Sequence, residues 1–149
     1  MRVLVQRVSS ASVSIDGEVV GAIGPGLLVF YCCGVNDRLE TCDRLAEKVA
    51  QLRIFSDEEG KMNLSATQLG LEALVVSQFT LMADTKKGHR PSFVASAKPP
   101  LAVEAYERFV EKLREQPLKS VATGQFGADM QVQLCNDGPV TIWMDTDEW

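Results

Sequence analysis

Seven consecutive apolar residues, Leu27-Leu28-Val29-Phe30-Tyr31-Cys32-Cys33, follow the turn signal Gly24-Pro25-Gly26. A run this continuous has no solvent face, so it reads as a strand buried on both sides, as in sheets covered by helices. Two helical stripes are present to provide cover. One opens at Asp37 and carries Leu39, Cys42, Leu45, Ala46, Val49 and Leu52. The other starts after Pro99-Pro100, carries Ala102, Ala105, Tyr106, Phe109, Val110 and Leu113, and ends at Pro117. Their apolar residues recur at three and four, the helical period.

The rest is strand material. Met1–Val8 and Ser12–Val20 alternate apolar and polar residues, with Asp16-Gly17 set as a hairpin turn. An Asp-, Glu- and Gly-rich loop covers Ser56–Lys61, followed by a short segment at Asn63-Leu64-Ser65 and a strand over Ala73–Leu81. Three further strands are expected at Val121–Thr123, Met130–Leu134 and Val140–Trp143. With no repeat, linker or low-complexity stretch, residues 1–149 read as one mixed α/β domain. A chain of that length can bury roughly 68–70% of its unfolded surface.

No apolar run approaches the ~20 residues of a membrane span. The polar Gln6-Arg7 interrupts what a signal peptide would continue, so a cytoplasmic location is expected. Cys32, Cys33, Cys42 and Cys135 include no C-x-x-C pair, which favours reduced thiols over a zinc site or a disulfide framework. The net charge of −5 disfavours a long nucleic-acid duplex as partner. One segment runs against it: Lys86-Lys87-Gly88-His89-Arg90 gathers three fixed cations and the sole histidine. It is either a solvated loop or a grip for the end of an RNA.

Standard catalytic machinery is hard to assemble from this chain. A Ser-His-Asp or Cys-His arrangement would depend on His89 alone, and neither metal-ligand spacing nor a phosphate-binding glycine loop occurs. Chemistry would therefore rest on backbone groups, hydroxyls or the substrate itself. Two phrases offer such groups by breaking good strand material with small polar residues. Ser77-Gln78-Phe79-Thr80-Leu81 is either a strand surfacing from the core or a strand end that turns N–H groups toward a pocket, where they could hold an oxyanion. Asn136-Asp137-Gly138-Pro139-Val140-Thr141 is either a tight turn or, with a cis Gly138–Pro139 bond, a rigid pair of carbonyls at a pocket lip.

Taken together, these phrases resemble the D-aminoacyl-tRNA deacylase family over nearly the whole chain. Further matches are Gln6-Arg7-Val8, Gly24–Leu28, Lys61-Met62-Asn63-Leu64-Ser65, Ala83–Gly88 leading to Arg90-Pro91-Ser92-Phe93, and Gly127-Ala128-Asp129-Met130. The Ser-Gln-Phe-Thr wording is similar to this branch and not to the animal relative whose phrase begins Pro-Gln. His89, often Asn in the family, and the tail after Trp143 depart from the pattern. The resemblance implies a three-layer fold of mixed, barrel-like β-structure covered by two main helices. It implies a homodimer with active sites at the subunit interface and no metal or organic cofactor. The substrate would be the acceptor end of a tRNA esterified with a D-amino acid, or with glycine mischarged on tRNA(Ala). Catalytic roles would fall to Ser77, Gln78, Phe79 and Thr80, and chiral selection to Gly138-Pro139 reaching into the partner's pocket, with Arg7 holding that motif. Lys86, Lys87, Arg90, Gly127 and Met130 would contact the tRNA. Absence of a side-chain base points to the ribose 2′-hydroxyl as the group assisting water, ahead of Thr80 as nucleophile. The alternative is a non-catalytic editing-type RNA-binding module, because a similar fold serves in some threonyl-tRNA synthetases.

Overall fold

A computed structural model describes residues 1–149. The hairpin of β1 (Arg2–Ile15) and β2 (Glu18–Ile23) turns at Asp16-Gly17, where both residues take positive φ (50° and 82°), as a two-residue turn between twisted strands requires. β3 (Gly26–Cys32) is buried along almost all its length, as its unbroken apolar sequence anticipated. It pairs antiparallel with β1 and parallel with β6 (Glu72–Ser77), which pairs parallel with β7 (Ser120–Thr123). Parallel neighbours cannot be joined by a tight turn. One crossover holds α1 (Thr41–Ala50), the small hairpin of β4 (Phe55–Ser56) and β5 (Met62–Leu64), and α2 (Ala66–Leu69); the other holds α3 (Leu101–Arg114).

The sheet order is β2-β1-β3-β6-β7, with β8 (Gln131–Asp145) on the other edge of β1. The ends of this order curl together. A Cβ built on Gly21 of β2 would lie 2.6 Å from the Thr123 carbonyl of β7, so only glycine permits the approach. The result is a mixed, nearly closed barrel with two apolar regions. Val8, Ala11, Val13, Ile23, Leu28, Leu74 and Val76 fill its interior. The larger core lies between the sheet and the helices, where Tyr31 stacks on Phe109 at 4.6 Å and the expected stripe of α3 is buried. Each large side chain in that stripe contributes about 1.5–3 kcal/mol.

Three expectations are corrected. The first helix begins at Thr41, not Asp37. The Asp37 carboxylate is occupied by the Gly34 N–H and the Met1 amine, at 2.6 and 2.7 Å, and the chain needs tight turns before the helix can form. The strand expected to run to Leu81 ends at Ser77. The Gln78 N–H makes a last bond to the Tyr31 carbonyl, and Phe79–Met82 then coil into a 3₁₀ turn. Finally, the strands expected at Met130–Leu134 and Val140–Trp143 are parts of the single strand β8, which begins at Gln131. Pairing with β1 resumes on both sides of the Asn136 phrase, so that phrase is a protrusion within the strand and not a hairpin turn.

Candidate active site

The end of β3, the exit of β6 and the segment before β8 surround a cavity of about 330 Å³. Ser77, Gln78 and Phe79 form one side of it, and Gly127 and Met130 another. Sequence reasoning grouped these five only through the family pattern; the structure places them around one space. It also adds residues to which the sequence assigned no site role: buried Cys32 and Ser96, half-buried Phe126, and exposed Asp129. Their signal was weak because each reads locally as core or loop.

The strand break at Ser77 sets polar Ser77 and Gln78 into a cavity lining that is otherwise largely apolar. Because the Gln78 N–H is spent on Tyr31, it is not available as an oxyanion donor. The N–H groups of Phe79 and Thr80 come next, and the opening donors of a helical turn have no acceptor inside it. The Thr80 side chain is exposed and not part of the cavity lining. Its hydroxyl accepts a 2.6 Å hydrogen bond from the Gln78 amide. The thiols nearby are poor nucleophiles: burial pushes Cys32 up and Cys33 to about 12, so both stay protonated at neutral pH. Phe79 is 56% exposed and meets Phe93 edge-on at 5.0 Å, presenting an aromatic lip.

The second phrase lies elsewhere in the chain. Gln6 pairs with Thr141 and Val8 with Asn136, so residues 137–140 bulge out opposite Arg7 alone. The Gly138–Pro139 bond is cis. Arg7 Nε donates to the Asp137 carbonyl at 2.7 Å and Nη1 to the Ile54 carbonyl at 2.6 Å. Neither Gly138 nor Pro139 lines the cavity of its own chain. Lys86, Lys87 and Arg90 are exposed on a loop closed by reciprocal Asp84–Ser92 backbone bonds of 2.8 and 2.9 Å. They too lie outside the lining. Nowhere do three His, Cys, Asp or Glu side chains converge as a ligand set, and no helix is long and apolar enough to cross a membrane.

The profile of the D-Tyr-tRNA(Tyr) deacylase family matches residues 4–145, taking in both polar phrases and the cavity walls. The chain belongs to that family. The D-aminoacyl-tRNA deacylase of Ruegeria pomeroyi is 57% identical over 97% of this chain and 99% of its own. That of Haemophilus influenzae is 56% identical with the same coverage. Among solved structures, the c-Myc DNA Unwinding Element Binding Protein superposes with a TM-score of 0.92 at 38% identity, covering 98% of this chain and 99% of its own. A probable eukaryotic D-amino acid tRNA deacylase shares the fold, with a TM-score of 0.80 at 17% identity over 96% of this chain and 97% of its own. The deacylase fold, mixed barrel-like β-structure under helices, is thus the one expected from sequence, and membership makes this chain a proofreading ester hydrolase.

Proposed function

We propose that the chain, acting over residues 1–149 as one domain, hydrolyses the ester between a D-amino acid and the terminal adenosine of tRNA. Glycine mischarged on tRNA(Ala) is accepted as well. One observation carries the reading: more than half of all positions match curated deacylases across nearly the full chain, and the matched phrases form a cavity wall and a protruding loop. The cavity is of a size to receive a nucleoside-like group, and small-molecule sites start at roughly 300 Å³.

Mechanism follows from what the cavity holds. Its thiols are protonated and no histidine lines it. Thr80 has a hydrogen-bonding amide beside it and no base. Water attack is therefore assisted by the ribose 2′-hydroxyl that the substrate brings, positioned next to the ester. The N–H groups of Phe79 and Thr80 stabilise the developing oxyanion, a role worth several kcal/mol when donors are preorganised. Lys86, Lys87 and Arg90 hold phosphates of the acceptor end, which an acidic protein can do locally.

Two copies are required. Gly138 and Pro139 do not line the cavity of their own chain; in a homodimer a second chain would bring them to one. There their backbone would exclude an L side chain, while a D side chain points away and glycine has none to clash. Incubation with D-Tyr-tRNA and L-Tyr-tRNA, following ester loss, is the direct test. Selective loss of the D-ester is expected; binding without hydrolysis would favour an RNA-binding module instead.

A further inference from the structure

The Asn136 side chain, which neither the mechanism nor the family pattern explains, closes the protruding loop. Its Oδ1 accepts the Val140 N–H at 2.8 Å, and its Nδ2 donates to the Val140 carbonyl at 3.0 Å. A primary amide holds a donor and an acceptor in one plane, so it can satisfy both backbone groups of one residue much as a neighbouring strand would. This is needed because β1 cannot do it. Four residues, 137–140, stand against the single Arg7, and the ladder bonds that Val140 would make are interrupted. Val140 is 7% exposed, so solvent does not replace them.

The same amide is fixed from behind. Nδ2 also approaches Thr141 Oγ1 at 3.4 Å, and that hydroxyl accepts a 3.1 Å bond from the Gln6 amide on β1. Gln6 and Arg7 thus act on the loop from adjacent positions: Gln6 through Thr141 at its base, Arg7 through the Asp137 carbonyl at its start. Space inside the loop is already minimal. A Cβ on Gly138 would lie 2.7 Å from the Val140 nitrogen, the atom that Asn136 holds. Shifting Val140 therefore shifts what surrounds Gly138.

We infer that Asn136 is a positioning residue for chiral selection: its amide, anchored by Thr141 and Gln6, sets how far and in which direction Gly138-Pro139 project. The inference rests on the proposed role of Gly138-Pro139 as the excluding backbone. Two hydrogen bonds joined in one planar group specify direction as well as distance, which a single bond or a methyl group cannot do.

Asn136→Ala, Asn136→Asp and Gly138→Ala are compared with the unaltered protein for rates on D-Tyr-tRNA and L-Tyr-tRNA, with thermal unfolding followed in parallel. Asn136→Asp retains the acceptor for the Val140 N–H and loses the donor to its carbonyl. The D/L rate ratio should fall by about tenfold or more in Asn136→Ala, the scale on which one lost hydrogen bond to a placed group is felt. Asn136→Asp should fall between Ala and the unaltered protein. A purely structural role would lower the unfolding temperature and leave the ratio among folded molecules unchanged, which overturns the inference. Should Asn136→Ala fail to fold, the ratio in Asn136→Asp decides: narrowed supports, unchanged overturns. Gly138→Ala separates the two levels. If it leaves the ratio intact, the excluding role of the loop itself is wrong; if it narrows the ratio while folded Asn136 variants do not, only the positioning role fails.

Discussion

Arg7 and Asp137 are joined across the widest break in the β1–β8 ladder: Arg7 Nε donates to the Asp137 carbonyl at 2.7 Å. The opposite arm of the guanidinium reaches the Ile54 carbonyl, so one planar fork ties the protruding loop to the segment after α1. Lysine keeps the charge but not the fork. Arg7→Lys should lose about 1–2 kcal/mol of stability, from charge-assisted hydrogen bonds to two carbonyls, and should slow D-ester hydrolysis. Denaturant unfolding and single-turnover deacylation check this. A variant equal to the unaltered protein in both would remove Arg7 from any role in holding the loop.

Thr80→Ala should retain substantial deacylation, because the Thr80 hydroxyl accepts from Gln78 and has no base beside it. Asp129→Asn should likewise remain active, although Asp129 is the one carboxylate in the cavity lining. A substrate ending in 2′-deoxyadenosine, with the amino acid on its 3′-oxygen, should by contrast be nearly inert. A fall near 10⁴-fold in Thr80→Ala, the scale of losing a covalent catalyst, or a trapped threonyl ester, would make Thr80 the nucleophile.

The exposed loop between Asp84 and Ser92 carries its cations away from any acidic partner that would neutralise them in an ion pair. Lys86→Ala combined with Lys87→Ala should weaken tRNA binding and flatten its dependence on salt. Each lost phosphate contact reduces the log–log slope by up to about one unit. Binding isotherms across a salt series measure it, and an unchanged slope would make the loop a solvated surface only.

Glu72 joins three parts of the barrel. Its carboxylate accepts the Gly24 N–H at 2.6 Å and the Ser120 hydroxyl at 3.2 Å, and Lys119 lies 3.5 Å away. The Gly24 amide above all, then Ser120 and Lys119, hold its pKa below the usual carboxylate range. A depressed folded pKa contributes stability that is present above the unfolded value of about 4.3 and is lost as pH falls through the folded one. Glu72→Gln should therefore cost about 1 kcal/mol at pH 7, and the gap to the unaltered protein should close below about pH 4. Thermal unfolding from pH 7 to pH 3 tests the sign; a gap that widens on acidification would contradict it.

Much of this architecture is legible in local pattern. The unbroken run after Gly26 became the doubly buried β3, Asp16-Gly17 became the hairpin turn, and the α3 stripe is buried residue for residue. The misreadings share a cause. Asp37 has helix-opening chemistry, but its carboxylate is taken by Gly34 and Met1, neither of which belongs to the helix. Ser77–Leu81 has strand composition, yet the last ladder bond, from Gln78 to Tyr31, ends the pairing. In both places a partner distant in sequence decided between two locally acceptable conformations.

By itself the sequence determined the kinds of layer this protein can form and, through its two polar phrases, the family to which it belongs. Hydrophobic periodicity and turn chemistry are properties of neighbouring residues and need no knowledge of the rest of the chain. Only the tertiary structure decided that Gly127 and Met130 share a cavity with Ser77, that Thr80 lies outside that cavity, and that β8 runs through its Asn136 phrase without ending. Those outcomes depend on which strands become neighbours and in what register. Such pairings satisfy backbone groups across more than a hundred residues of sequence, as between Gln6 and Thr141, and a side chain's cavity neighbours exist only once the barrel has closed.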